Sequence, residues 1–128
     1  MDRTRGKALA LEARSLKEEL EQLAGELAAV PGEARDTLHA RIVADRDRLE
    51  AIARAAEKAL EDQREKHARR REALQSKLEG LGDELSRAEI EASKAEAEAA
   101  YEADRYELEN ARTVAKDGIE LSFESMRV

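Results

Sequence analysis

Apolar side chains near the start of the chain recur in alternating steps of four and three residues. The members of this series are Leu9, Ala13, Leu16, Leu20, Leu23, Leu27 and Val30. Because a helix turns about once every 3.6 residues, such spacing places them all on one face, as in a coiled-coil seam. The pattern predicts an amphipathic first helix over residues 4–29.

A second, much longer helix is predicted over residues 33–79, which contain neither glycine nor proline. Its seam is the series Leu38, Ile42, Asp45, Leu49, Ile52, Ala56, Leu60, Arg64, His67, Arg71, Leu74, Leu78 and Leu81. Two successive steps of four, from Ile52 through Ala56 to Leu60, form a stutter, which locally unwinds a supercoil. Several positions beyond the stutter are charged, so the second half of this helix has a weaker apolar face.

Helix-breaking residues separate the predicted helices. Val30, Pro31 and Gly32 end the first helix, and residues 80–82 form the second break. A third helix is predicted over residues 83–117, with Asp83 as its N-cap, Gly82 left-handed before it and Gly118 after its end. Its predicted buried row is Leu85, Ala88, Ala92, Ala95, Ala99, Glu102 and Tyr106.

Charge decides how the second and third helices are arranged. The second helix carries a basic patch, comprising Arg64, Lys66, Arg69, Arg70 and Arg71. The third helix is rich in glutamate and so has the opposite charge. An antiparallel hairpin brings the two together, whereas one continuous helix, the alternative, leaves both unpaired. The predicted register places His67 near Ala95, Arg70 near Ala92 and Arg64 near Glu98.

The predicted fold is therefore all-α: long antiparallel helical hairpins or a coiled coil, in an elongated N-shaped arrangement of three helices. The three helices overlap only in the middle, from Asp45 to Leu60, where the long helix is least polar. Residues 1–118 form one elongated domain in this interpretation, and residues 119–128 form a C-terminal tail.

The tail differs from the rest of the chain because it concentrates large apolar residues, namely Ile119, Leu121, Phe123, Met126 and Val128. Alternation of apolar and polar residues at its start favours a strand, while the spacing of Ile119, Phe123 and Met126 also fits a short capping helix. We predict a docking segment for a partner, with the capping helix as the alternative.

Composition favours slender helical rods over a thick core. The chain is 41% charged and 2% aromatic, has no cysteine and carries a net charge of -7. No apolar stretch approaches the ~20 residues of a membrane span, nor is there a signal peptide. We expect a soluble cytoplasmic protein, or a virion-associated one if a phage encodes it. The preference for arginine over lysine is typical of GC-rich bacterial or phage genomes.

Catalytic chemistry is not expected. Asp36 and His39 are spaced to share a helical face, but carboxylate-bridged metal sites in bundles need that pattern twice, and a solvated pair is the simpler interpretation. No phosphate-binding glycine loop or nucleophile motif is present. We therefore expect no enzyme activity, cofactor, metal or small-molecule substrate. Nucleic-acid binding by the basic patch is not expected either, because the chain is acidic overall and no aromatic residue lies near the patch.

The predicted function is that of a non-enzymatic structural or adaptor coiled-coil protein that self-associates or scaffolds a protein partner. A homo-oligomer is expected, held through a packing seam of Leu9, Leu16, Leu20, Leu23, Leu27, Leu38, Ile42, Leu49, Ile52 and Leu60. The alternatives are a helical chaperone or stalk that binds one partner through the tail, and a basic-patch nucleic-acid binder. In size and hairpin layout the chain resembles rod-shaped secretion chaperones, stalks and phage scaffolding proteins, although no residue motif carries that resemblance.

Overall fold

The structure is a computed structural model that describes residues 2–30 and 32–127, with side chains from residue 5 onward. It contains three helices, α1 (Asp2–Ala29), α2 (Glu33–Glu79) and α3 (Glu84–Met126), and no strand within the described residues. The all-α, three-helix fold is confirmed, and α2 has the predicted bounds.

Two short turns reverse the chain. Before α2, Gly32 has a φ of 72°, in the left-handed region that glycine tolerates best. Pro31, the other predicted breaker at this turn, lies outside the described residues. Before α3, Asp83 is the N-cap and its Oδ2 accepts a hydrogen bond from the Ser86 backbone N–H at 3.3 Å. The prediction of a left-handed Gly82 is wrong, because Gly32 alone has a positive φ among the described glycines.

The helices form a three-helix head and a two-helix arm. α2 runs antiparallel to α1 and to α3. α1 lies beside the C-terminal half of α3, where Gly6 packs near Glu107 and Gly118 packs near Lys17. The head comprises α1, α2 as far as Gln63, and α3 from Asp104 onward. The arm comprises the remainder of α2 and α3. The N-shaped arrangement is therefore corrected: the three-helix part lies at one end of the molecule, because α3 continues beyond Gly118.

The head has a continuous apolar core built largely from the predicted seam. Leu16, Leu20, Leu23, Leu27, Leu38, Ile42, Leu49 and Ile52 are buried, while Leu9 and Leu60 are half-buried. Leu108, Ala111 and Ala115 complete the core from α3. Burying each large aliphatic side chain stabilises the fold by about 1.5–3 kcal/mol, so most of the stability resides in the head.

α3 buries a different face from the predicted one. All members of the predicted row are exposed, with Leu85 at 71% and Tyr106 at 69%. The buried and half-buried row is instead Ser86, Ile90, Ser93, Ala97, Tyr101, Asp104, Leu108, Ala111, Ala115, Gly118 and Ser122. This row prevails because it carries Leu108 and a run of small residues that allow α3 to approach both other helices.

The C-terminal tail is part of α3. Gly118 does not end the helix, and the predicted strand is wrong. A Cβ on Gly118 would lie 2.6 Å from Leu49 Cδ1, so this glycine permits close packing of α3 against α2. Ile119, Leu121 and Met126 are half-buried against the head core, and Phe123 is 48% exposed. Val128 lies outside the described residues.

Arg46 of α2 holds the last turns of α3 in place. Its Nε donates to Ser122 Oγ at 2.7 Å, and its Nη2 donates to Met126 Sδ at 3.0 Å. The guanidinium also lies 3.8 Å from the centroid of the Phe123 ring, a cation–π arrangement. Ser122 itself is fully buried. The apolar tail is thus seated on the head, while its predicted role in docking stays a prediction.

Candidate partner-binding surface of the arm

One face of α2 continues in steps of four and three from the head into the arm. In the head this row is Leu38, Ile42, Asp45, Leu49, Ile52, Ala56 and Ala59, all buried. In the arm it continues as Gln63, Lys66, Arg70, Ala73 and Lys77, of which Gln63 alone is buried. The row therefore changes from apolar to basic where it loses its cover.

The α2 row becomes exposed at the level where α1 begins. Arg5 of α1 and Gln63 of α2 line a cavity of about 50 Å³ together with Lys66 and Leu108. The Gln63 side-chain amide is buried there without a hydrogen-bond partner among the described residues. Beyond this point the place that α1 occupies in the head is open.

A groove between α2 and α3 begins at this junction and extends over about two helical turns of the arm. Its volume is about 200 Å³, and it is lined by Gln63, Lys66, His67, Arg70, Ala97, Ala100, Tyr101 and Asp104. Gln63 and Lys66 line both the groove and the junction cavity, so the groove is continuous with the seat of α1. The small side chains of Ala97 and Ala100 leave room for another helix to approach closely.

The α2 wall of this groove is basic. Lys66 and Arg70 line it directly, and Lys77 follows Arg70 by two helical turns on the same face. None of the three takes part in an ion pair with another described residue. Their charges are therefore available to a bound molecule.

The α3 wall is acidic. Asp104 lines the groove, and Glu96 and Glu89 precede Glu107 by three and five helical turns, which places them on the face of Glu107. Glu107 faces α1 in the head, since it meets Gly6 there. The two walls of the groove thus carry opposite charge.

Among the described residues, two hydrogen bonds between side chains join α2 and α3 across the arm. Glu98 Oε2 lies 2.8 Å from His67 Nε2, and Lys94 Nζ donates to Gln75 Oε1 at 3.0 Å. The His67 ring also stacks on Tyr101 with 4.1 Å between centroids. The predicted register is therefore wrong by about one helical turn, because His67 faces Glu98 and Tyr101 rather than Ala95.

The predicted basic patch is exposed and is not neutralised by α3. Arg64, Lys66, Arg69, Arg70 and Arg71 are all exposed, and among the described residues no carboxylate lies within 4.0 Å of their charged atoms. The expected pairing of Arg64 with Glu98 is absent because Glu98 is bonded to His67. The patch divides between the groove, which holds Lys66 and Arg70, and the rest of the α2 surface.

A buried carboxyl group interrupts the apolar seam of the head. Asp45 is 5% exposed, and its Oδ2 has no hydrogen-bond partner among the described residues. Burial raises the pKa of Asp45, and the neighbouring Glu19 carboxylate raises it further, although Arg48 and Arg41 oppose the shift. Glu19 in turn accepts a hydrogen bond from Arg41 Nη2 at 2.9 Å. Asp45 lies inside the packed head, far from the groove, and its effect is on stability.

No group of three or more His, Cys, Asp or Glu side chains suited to hold a metal ion occurs among the residues that the structure describes. Asp36 is exposed, and His39, half-buried, has an Nε2 atom without a described hydrogen-bond partner. No helix in the described part of the chain combines the length and apolar character that a membrane span requires.

Comparisons of the chain with protein-family models, with curated proteins and with solved structures find no significant match.

The groove was not predicted from the sequence, although a signal for it was present. The predicted seam takes a second step of four, from Ala56 to Leu60, and from there it follows residues on the side of α2 that faces α3. Continuing in steps of three and four from Ala56 through Ala59 and Gln63 instead reaches Lys66 and Arg70. The change from apolar to basic side chains along that uninterrupted row marks the level at which α1 begins and the α2 surface becomes exposed.

Proposed function

We propose that this protein is a non-enzymatic structural adaptor that binds a protein partner along its arm. The observation that carries the proposal is the arrangement of cover along α2. Its seam is enclosed by two helices in the head, but beyond Gln63 only α3 lies against it among the described residues, and these leave the place of the third helix open. A helical partner that fills this place would complete along the arm the bundle that the head already forms.

The position of the tail favours the arm over the tail as the docking surface. Ile119, Leu121 and Met126 pack on the head core, and Arg46 bonds to Ser122 and Met126. Docking through these side chains requires that they leave the head, at a cost of several buried apolar groups. The arm presents its groove without any such rearrangement.

Charge favours a protein over a nucleic acid as the partner. Within the groove, Lys66 and Arg70 lie opposite the acidic wall of α3, which carries Asp104, Glu96 and Glu89. A phosphate backbone would be repelled by that wall, whereas a polypeptide can present both signs of charge.

Photo-crosslinking in the cells that express the protein tests this function. A photoreactive phenylalanine analogue in place of Ala73 lies on the open row of the arm, and the same analogue in place of exposed Arg54 on α2 in the head is the control. We expect a discrete protein adduct from Ala73 and none from Arg54. An adduct of twice the chain mass identifies a second copy, and another discrete mass identifies a different protein. Absence of any protein adduct from Ala73, or equal adducts from both positions, contradicts the proposal.

A further inference from the structure

The head shows which charges suit a helix seated between α2 and α3. Towards α2, α1 presents Glu19, which bonds to Arg41 at 2.9 Å. Towards α3, Lys7 and Arg14 of α1 line one surface groove with Glu107. At these positions the charges of α1 are therefore opposite in sign to those they face, acidic towards Arg41 of α2 and basic towards Glu107 of α3.

The arm repeats this charge arrangement with its third helix missing. Lys66 and Arg70 stand on the α2 wall in place of Arg41, and Asp104 and Glu96 stand on the α3 wall in place of Glu107. The groove is continuous with the seat of α1. The groove is lined by α2 residues 63–70, and the exposed row of α2 continues to Lys77. At 1.5 Å per residue, the segment 63–79 spans about 25 Å, the length of a helix of about 17 residues.

We propose, building on the adaptor function, that this groove receives one amphipathic helix of a different protein, seated end to end with α1. Its contact face is small or apolar, to lie on Ala97 and Ala100. One of its edges carries Asp or Glu, to pair with Lys66 and Arg70, and the other carries Lys or Arg, to pair with Asp104 and Glu96. Charge pairs of this kind set the choice of partner and its register more than the affinity.

A second copy of the chain fits this pattern less well. The exposed outer row of α3 has Glu91 and Glu98 along one edge and Glu89 and Glu96 along the other. Such a helix complements the α2 wall of the groove but is repelled by the α3 wall. The groove therefore selects a helix whose two edges differ in sign.

Three synthetic helical peptides of about 18 residues and identical alanine and leucine contact faces serve as probes. One carries glutamate on one edge and lysine on the other, one carries glutamate on both edges, and one carries lysine on both. The chain has no cysteine, so Ala73→Cys provides a single label for fluorescence titration, on the exposed α2 row that continues from the groove. Ala68→Cys, on the opposite side of the arm, is the control label.

Wild-type protein is expected to bind the mixed-edge peptide at least tenfold more tightly than either uniform peptide, with a signal from the label at position 73 and little from position 68. The variant K66E/R70E has two acidic walls and is expected to prefer the lysine-edged peptide. The matched variant R64E/R71E changes the same charge on the same arm outside the groove and is expected to retain the wild-type preference. Circular dichroism confirms that the variants remain helical.

Several results overturn the proposal. One is equal binding of the three peptides; another is equal loss of binding in K66E/R70E and R64E/R71E, which indicates attraction to the basic patch as a whole. Displacement of the peptide by a 20-nucleotide single strand assigns the surface to nucleic acid. A sedimenting dimer that K66E/R70E dissociates, and that forms in competition with the peptide, assigns it to a second copy. A protein adduct at Ala73 in cells with no peptide preference in vitro would leave the adaptor function standing and remove only the charge rule.

Discussion

Gly118→Ala provides the most direct test of how α3 is seated on the head. In the interior of a helix this change normally stabilises a protein by about 0.5–1 kcal/mol, because glycine loses more backbone freedom on folding. At Gly118, however, the new Cβ would lie 2.6 Å from Leu49 Cδ1. Leu49 is fully buried, so its side chain lies among close-packed neighbours that must shift if it moves away.

The two effects oppose each other. Overpacking a filled core costs about 1–3 kcal/mol, which exceeds the gain in helix propensity. We therefore expect Gly118→Ala to lower the free energy of unfolding by about 1 kcal/mol, which corresponds to a fall in Tm of about 3–4 °C for a domain of this size. Gly25→Ala is the matched control, because nothing lies within 4 Å of its added Cβ. That variant should gain about 0.5–1 kcal/mol.

A double-mutant cycle isolates the contact with Leu49. Leu49→Ala alone should cost about 2–5 kcal/mol through lost burial and the cavity left behind. It also removes the atom that the new Cβ would strike, so Gly118→Ala in that background should become stabilising. Urea unfolding followed by circular dichroism gives all four stabilities, and a coupling of about 1.5–2 kcal/mol between the two sites is expected.

Stabilisation by Gly118→Ala equal to that by Gly25→Ala would refute the reasoning. Additive effects of the substitutions at positions 118 and 49 would do so as well. Either result would mean that α3 does not lie against Leu49 and that the glycine serves another purpose.

Three further predictions concern the head. Asp45→Asn should raise stability at pH 7 by about 1–3 kcal/mol, since an ionised carboxylate is no longer buried beside Glu19. Because the pKa of Asp45 is raised in the folded state, the native protein binds this proton more tightly, so wild-type stability falls as the pH rises from about 3.9 through the folded pKa. Urea unfolding at pH 4 and pH 7 should therefore show that the stability gained by Asp45→Asn is smaller at pH 4. A larger gain at pH 4 contradicts this cause. Leu20→Ala should lower the free energy of unfolding by about 2–4 kcal/mol because Leu20 is fully buried, whereas Leu11→Ala should lower it by under about 0.5 kcal/mol because Leu11 is 67% exposed. Equal losses in thermal denaturation would mean that the buried face of α1 is assigned wrongly. Deleting residues 118–128 should lower stability by about 2–5 kcal/mol through loss of the side chains packed on the head, and an unchanged Tm would revive the tail as a free docking segment.

The bounds of α1 to within two residues, the bounds of α2, the start of α3 and the core face of α1 followed from the sequence alone. Glycines at positions 32, 80 and 82 lie between long stretches without breakers, and helix propagation is cooperative once such stretches begin. Leu16, Leu20, Leu23 and Leu27 form a single unambiguous apolar stripe, so only one face of α1 could be buried.

The buried face of α3, its register and its end were decided by the tertiary structure. Alanines lie on more than one face of α3, so periodicity gives two nearly equal stripes, and contact of Leu108 and Gly118 with distant residues selects one of them. Gly118 has the local signature of a helix end, but its missing side chain is used for packing against Leu49. The position of the groove was also decided by the tertiary structure. The sequence predicts that α1 is shorter than α2, but which side of the α2–α3 hairpin α1 leaves exposed depends on how the three helices pack. Local periodicity records which residues are apolar, and only long-range contacts determine which apolar face finds a neighbour.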